Sequence, residues 1–259
     1  MLKLKQGDKI LTLPEHRNEP FTDLSYYSIL FYGMEKIGKT AMCAHFPDAL
    51  FLHFEPGGNA LRIFSRTMHD WKEFKGYLKL LAQTKRFKTI IIDTVDIAYA
   101  MCYRFICDRE GIAHPKEEGF AIAWTMIKDE FSEVMSELLK LDRGVVFLSH
   151  ATEREIKIRT GVTTHRIVPT MPKQARSVLE PMVDIWAYLR YTKDGSRQIM
   201  MRGNDHIAAG HRLQENFVGV SKINMGDSAM QAYKNFVHAF NKKTAEPSSP
   251  QKIKIKIKK

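Results

Sequence analysis

The stretch FYGMEKIGKT, residues 31–40, decides the fold of this chain. It places one glycine, four variable residues, a second glycine, a lysine and a threonine directly behind the apolar run SYYSILFY, residues 25–32. A glycine-rich turn between a buried strand and a helix lets backbone N–H groups surround phosphate oxygens. The pattern therefore predicts a nucleotide-binding loop made of Gly33, Met34, Glu35, Lys36, Ile37, Gly38, Lys39, Thr40 and Ala41.

The side chains of this loop predict the chemistry of the bound group. Lys39 is expected to reach the β and γ phosphates of ATP, and the hydroxyl of Thr40 is expected to ligate Mg²⁺. Asp93 closes the apolar run of residues 89–92, as an aspartate that holds Mg²⁺ directly or through water would do. ATP and Mg²⁺ are therefore the expected cofactors.

A group that polarises water is predicted on a neighbouring strand. Thr94, and not a carboxylate, follows Asp93, so the base must lie elsewhere. Glu55 ends the predicted strand of residues 50–54, and the carboxyl ends of parallel strands line the ligand crevice of an α/β sheet. Glu55 is therefore the candidate base, and an exposed turn glutamate is the alternative.

Composition indicates a soluble α/β domain of ordinary size. The 259 residues are 44% hydrophobic and 27% charged, and no apolar run of about 18 residues predicts a membrane span. The first residues lack a secretory signal, so a cytoplasmic protein is expected. Cys43, Cys102 and Cys107 cannot pair evenly and lack zinc-site spacing, which predicts reduced core thiols.

The formal net charge of +11 favours a polyanionic partner without deciding for one. Five of these charges come from the lysines of the tail at residues 252–259, which leaves +6 for residues 1–251. The main part of the chain is therefore only mildly basic.

Apolar strands alternate with helices, which predicts a mostly parallel sheet covered on both faces. Three parts are expected: an N-terminal lead-in segment, a core domain, and a Pro/Ser linker with a Lys-rich tail (residues 1–24, 25–241 and 242–259). The predicted strands are 25–32, 50–54, 89–92 and 144–149, and the predicted helices are 39–46, 70–83, 97–109, 122–141 and 228–241. The dipeptide Asp194-Gly195 predicts a hairpin between residues 184–191 and 197–202.

The order of these motifs resembles the RecA-type ATPase core, especially short phage-encoded ATP-binding proteins that include single-strand annealing recombinases. The resemblance covers about residues 25–205 and rests on the phosphate loop, FLHFEPGGNAL with Glu55, TIIIDTVDIAY with Asp93, and VVFLSH ending at His150. It implies a RecA-like P-loop NTPase fold with a mostly parallel central sheet, flanking helices, a C-terminal β-hairpin and a flexible basic tail. It also implies that Glu55 positions water and that His150, where RecA has a glutamine, senses the γ-phosphate.

The resemblance places DNA contacts in residues 151–176. This segment has four more basic than acidic residues, which suits a groove that follows phosphates. An ordinary amphipathic hairpin with a solvated basic face is the alternative. Residues 107–120 would form the other DNA-proximal loop, although they are not basic. The candidate DNA-binding residues are Arg154, Lys157, Arg159, Arg166, Lys173 and Arg176.

The resemblance also implies a homo-oligomer, either a ring or a filament, with active sites between subunits. Within RQIMMRGNDHIAAG, residues 197–210, Arg202 would reach the γ-phosphate of the neighbouring subunit, with Arg197 in reserve. A surface arginine is the alternative for both. A single-strand-binding protein is a further partner that the resemblance leaves open.

These features together predict an ATPase that is stimulated by single-stranded DNA and acts in phage-type homologous recombination or strand annealing. Two alternatives stay open. In a P-loop kinase of nucleotides or small metabolites, residues 151–176 would be a lid. In an ATP-gated binding module that does not hydrolyse ATP, Glu55 would be idle.

Overall fold

A computed structural model describes residues 3–6, 9–115, 122–157, 161 and 163–242. The strands are β1 (Lys3–Gln6), β2 (Lys9–Thr12), β3 (Ser28–Gly33), β4 (Ala49–His53), β5 (Phe64–Thr67), β6 (Thr89–Asp93), β7 (Gly144–Lys157), β8 (Thr163–Pro169), β9 (Ile185–Tyr191), β10 (Arg197–Met200), β11 (Gly210–His211) and β12 (Lys222–Asn224). The helices are α1 (Lys39–Cys43), α2 (Trp71–Ala82), α3 (Val95–Glu110), α4 (Ala123–Leu139), α5 (Lys173–Leu179) and α6 (Ala229–Phe240).

The central sheet is mostly parallel, which confirms the predicted RecA-like P-loop fold. Its main path runs β12-β10-β9-β3-β7-β6-β4-β5, and every pair from β9 to β5 is parallel. β10, β11 and β12 add antiparallel pairs on the β9 side. Because β7 lies between β3 and β6, the phosphate loop and Asp93 flank β7 at Leu148 and His150, in the middle of that strand.

Side chains of each central strand alternate between two cores. On β3, Leu30 and Tyr32 pack with the helices α2 to α5, while Ile29 and Phe31 pack with α1 and α6. Both faces of the sheet are therefore covered, which is why its strands are apolar without a break.

Several boundaries differ from the sequence prediction. β3 begins at Ser28 because residues 24–26 form a short 3-10 helix, whose first turn is capped by the Asp23 carboxylate. β7 continues to Lys157, well beyond the predicted end at residue 149, and pairs with β8. The lead-in segment contains the hairpin β1–β2, and helix α5 lies within the predicted DNA loop.

Two simpler expectations concern the whole chain. The three cysteines are buried and free, as predicted. Among the described helices, none is both long and apolar enough to cross a membrane. The basic tail, from residue 243 onward, and residues 116–121 of the second predicted DNA loop lie outside the described residues.

Candidate nucleotide site and arginine face

The phosphate loop joins the end of β3 to the first turn of α1, and its two glycines are needed for different reasons. Gly38 has φ 106°, a left-handed conformation that favours glycine. At Gly33 a Cβ would lie 2.5 Å from the carbonyl oxygen of Leu189, so only glycine allows β3 to approach β9 this closely. Gly38 is thus needed for the conformation of the loop, and Gly33 for the packing of β3 against β9.

Lys39 is folded into the curve of this loop. Its side chain is 6% exposed, and Nζ donates hydrogen bonds to the carbonyl oxygens of Gly33 (2.8 Å) and Met34 (2.9 Å). Burial lowers the pKa of Lys39, while the carboxylates of Asp93 and Glu55 act in the opposite direction. A buried ammonium that is bonded only to neutral carbonyls fits a site for phosphate oxygens.

Thr40 and Asp93 form the candidate Mg²⁺ position. The Thr40 hydroxyl donates to Asp93 Oδ2 at 3.0 Å, and Asp93 is buried. A hydroxyl and a carboxylate are oxygen ligands of the kind Mg²⁺ prefers, so these residues fit the ion. Within the described ranges, no group of three or more His, Cys, Asp or Glu residues could hold a metal. A site with few protein ligands matches the way Mg²⁺ binds beside substrate phosphates.

The predicted base and the predicted sensor lie together. Glu55 follows β4, and its Oε1 is 3.3 Å from Nε2 of His150 on β7. Both side chains are partly exposed, Glu55 at 31% and His150 at 28%, so solvent reaches the pair. Because β4 and β7 run parallel on either side of β6, their carboxyl ends bring the two residues to one edge.

His53 is a residue of this edge that the sequence analysis missed. It is 3% exposed, and its Nδ1 lies 3.4 Å from Asp93 Oδ2. On its other side, a Cβ on Gly58 would lie only 2.7 Å from Nε2. The imidazole therefore lies between Asp93 and the turn that begins at Glu55, although among the described residues neither buried ring nitrogen has a hydrogen-bond partner. Only the register of β4 with β6, which pairs His53 with Asp93, reveals this.

Asp96 was also missed. Its Oδ1 accepts hydrogen bonds from the hydroxyls of Ser149 (3.0 Å) and Thr170 (2.5 Å), and burial raises the pKa of its carboxyl. The Thr170 N–H donates to the carbonyl oxygen of His150 at 3.0 Å. Asp96 therefore ties α3 to the end of β8 beside the sensor. Its place three residues after Asp93 was a signal that could have been used.

Three of the predicted DNA-binding residues form one surface, which we call the arginine face: Arg154, Arg166 and Arg176. Arg154 and Arg166 are directly opposite in the β7–β8 hairpin, and Arg176 comes from α5. Burial and the charges of the other two arginines lower the pKa of Arg176. In the described part of the chain, the buried Nε atoms of Arg166 and Arg176 have no hydrogen-bond partner.

The opposite face of the hairpin is acidic. Glu153 and Glu155 lie 3.8 and 3.9 Å from the two ring nitrogens of His165. On this hairpin Arg154 and Arg166 thus lie on one face and the two glutamates on the other. Lys173 is exposed on α5, Lys157 is described only as the end of β7, and Arg159 lies outside the described residues.

The two arginines proposed for a subunit contact lie in different places. Arg197 donates to the carbonyl oxygens of Ile37 (3.4 Å) and Gly226 (2.9 Å), so it contacts the phosphate loop of its own chain. Arg202 lies five residues further along, which is on the order of 15 Å in an extended chain. It is exposed and follows Met200, which pairs with Tyr188 on β9, whereas Arg197 pairs with Tyr191. A contact of Arg202 with a neighbour's nucleotide stays a prediction.

A phosphate loop that opens a helix, a lysine inside it and an aspartate on a nearby parallel strand together define a P-loop ATPase domain. Residues 25–213 match the model of a family described as an AAA domain. The chain belongs to this AAA domain family.

Two individual proteins resemble the chain. The SPbeta prophage-derived uncharacterized protein YorG of Bacillus subtilis (strain 168) is 27% identical over 165 residues. The match covers 60% of this chain and 47% of YorG, so the chain spans about half the length of that relative. The KaiC-like protein PH0186 of Pyrococcus horikoshii OT3 aligns with a TM-score of 0.47 and 12% identity, covering 80% of this chain and 88% of that one. A likeness this low adds nothing to the assignment.

Proposed function

We propose that the protein hydrolyses ATP in response to single-stranded DNA and acts in phage-type recombination or strand annealing. One observation carries the proposal: the candidate base Glu55 is linked through His150 and Thr170 to the arginine face. The prophage origin in the name of YorG supports the phage context.

The chemistry assigned to this chain is the attack of water on the terminal phosphate of ATP. Lys39 and the backbone N–H groups of the loop would hold the phosphates, and Thr40 with Asp93 would hold Mg²⁺, which supplies positive charge beside them. Glu55 orients a water molecule and accepts one of its protons. The water oxygen bonds to the γ-phosphorus, and the bond from that phosphorus to the bridging oxygen breaks, its electron pair leaving on ADP.

The link to DNA runs through three contacts. Glu55 lies 3.3 Å from His150, the His150 carbonyl accepts from the Thr170 N–H at 3.0 Å, and the Thr170 carbonyl accepts from Arg154 Nη2 at 3.1 Å. A phosphate bound to Arg154 competes for the Nη2 donor that forms the hydrogen bond to the Thr170 carbonyl. Movement of Thr170 changes the position of His150, and with it the orientation of Glu55.

The partners of the active assembly are proposals of the same kind. A homo-oligomer would place a cation of one subunit near the nucleotide of the next, where it would stabilise charge in the transition state.

The test is ATP turnover by the purified full chain, with and without a single-stranded oligonucleotide, at several salt concentrations. We expect stimulation that fades steeply as salt rises, because contacts to phosphates release counterions. Turnover that ignores the oligonucleotide at low salt would contradict the proposal. Transfer of the phosphate to an added nucleotide would identify a kinase instead.

A further inference from the structure

We propose that Arg202 belongs to a phosphate-binding track for single-stranded polynucleotide and does not act on a neighbour's ATP. The track continues the arginine face across Arg166 into a cleft beside β10 and β11. The inference rests on the proposed DNA binding and specifies where the strand lies.

The cleft is a polar depression of about 940 Å³. Both Arg166 and Arg202 line it, so Arg166 belongs to the arginine face and to the cleft at once. Four cations therefore follow one another from α5, across the hairpin, to the turn after β10. In that order they are Arg176, Arg154, Arg166 and Arg202.

In the described ranges the charges of this track form no ion pair, although the Glu180 carboxylate acts to raise the pKa of Arg176. Among the described residues, none of the four arginines has a carboxylate oxygen within 4 Å, although ion pairs are found elsewhere on the surface. Asp205 is the one acidic residue among those lining the cleft. Arginines directly opposite each other on a hairpin repel, so the arrangement favours an external anion.

A second space adjoins the cleft. It is a pocket of about 250 Å³ whose lining includes Trp186 together with the acidic residues Glu180 and Asp184. Arg166 and His211 line both spaces. Guanidinium groups donate only, and phosphate oxygens accept, so the arginines of the track are complementary to a phosphate backbone.

The shape of the track favours a polynucleotide over a small anion. Its cations are spread along the surface from α5 to the turn after β10, whereas a pocket for one phosphate would converge on a point. The aromatic ring at the cleft, Phe217, is 2% exposed and packs in the core, so it offers no stacking platform for bases. Binding should therefore follow the phosphate backbone and be largely independent of sequence.

The experiment measures equilibrium binding of a fluorescent single-stranded oligonucleotide across salt concentrations, for the parent chain and three variants. Arg202→Gln should reduce the slope of log affinity against log salt by about 0.7, the value of one lost phosphate contact in a single strand. Arg202→Glu should weaken binding further. Arg66→Gln, at an exposed site on β5 at the far edge of the sheet, is the matched control and should keep the parent slope.

Turnover separates this role from contact with a neighbour's ATP. In the track, Arg202→Gln raises the oligonucleotide concentration needed for half-maximal stimulation, and turnover at saturating oligonucleotide approaches that of the parent. An unchanged salt slope together with reduced turnover at every oligonucleotide concentration would overturn the inference alone. A parent chain that fails to bind the oligonucleotide would instead overturn the proposed function, and the inference with it.

Discussion

The nucleotide edge and the arginine face both concentrate charge, but they treat it in opposite ways. At the edge, Lys39 is bonded to two carbonyls, and Asp93 faces the Thr40 hydroxyl and His53. On the arginine face, Arg154 and Arg166 are directly opposite and both act to lower the pKa of Arg176, and none of the described carboxylates lies within 4 Å of the three. The first region is organised by its own chain, whereas the second brings three like charges close together, and we propose that an external anion completes it.

The largest effect should follow from removing the side chain of Lys39 from the nucleotide edge. Lys39→Ala removes the buried ammonium, so ATP binding should weaken by about 100-fold or more, since several charge-assisted hydrogen bonds to phosphate are lost together. Hydrolysis should become undetectable. Equilibrium binding of ATP and a turnover assay measure both, with Lys79→Ala on the exposed side of α2 as the control. Parent-like ATP affinity in Lys39→Ala would remove the basis for the nucleotide site.

A smaller effect should follow from substitution of His53, which lies beside Asp93 at the nucleotide edge. His53→Asn takes away the imidazole between Asp93 and the Glu55 turn, and loss of such an outer contact costs about 10- to 100-fold in metal affinity. The Mg²⁺ concentration for half-maximal turnover should rise accordingly, while binding of ADP without metal stays close to that of the parent. Equal weakening of metal-dependent and metal-free binding would show a general loss of structure instead.

Substitution of Arg154, which links the arginine face to the nucleotide edge, should have a smaller effect again. Arg154→Gln removes the charge and the donor to Thr170, so stimulation by an oligonucleotide should fall several-fold while ATP affinity is retained. The salt slope of oligonucleotide binding should drop by about 0.7. Glu153→Gln, on the acidic side of the same hairpin, is the matched control. If the two variants lost stimulation equally, the division of the hairpin into two faces would have no functional meaning.

The smallest expected effect is an increase in the free energy of unfolding. Arg154 and Arg166 act more strongly on Arg176 together than the opposing Glu180 does. Neutralising Arg176 should therefore stabilise the protein, and Arg176→Gln should raise the free energy of unfolding by about 0.5 kcal/mol at low salt. The gain should fade as salt rises, because partly exposed charges are screened. Denaturant unfolding at two salt concentrations measures it. A loss of stability at low salt would mean that the arginine face is already balanced without an anion.

The comparison also marks what could be predicted from the sequence. The phosphate loop, Asp93 and Glu55 could be found because their positions depend on local motifs and on the rule that parallel strands end at one edge. His53 could not, since its contact depends on the register of β4 against β6. The two faces of the hairpin were hidden because residues 151–157 continue a buried strand into solvent. Counting charges along a segment does not show on which side of a strand each one lies.

The most direct test of the account is the substitution Glu55→Gln, which keeps the size of the side chain and removes its basicity. We predict that ATP affinity stays within about twofold of the parent, while turnover falls by about 100-fold or more with and without oligonucleotide, because general-base assistance is lost. Glu137→Gln, on an exposed position of α4, should change neither quantity. Parent-like turnover in Glu55→Gln would contradict the central claim that the residue beside His150 activates water.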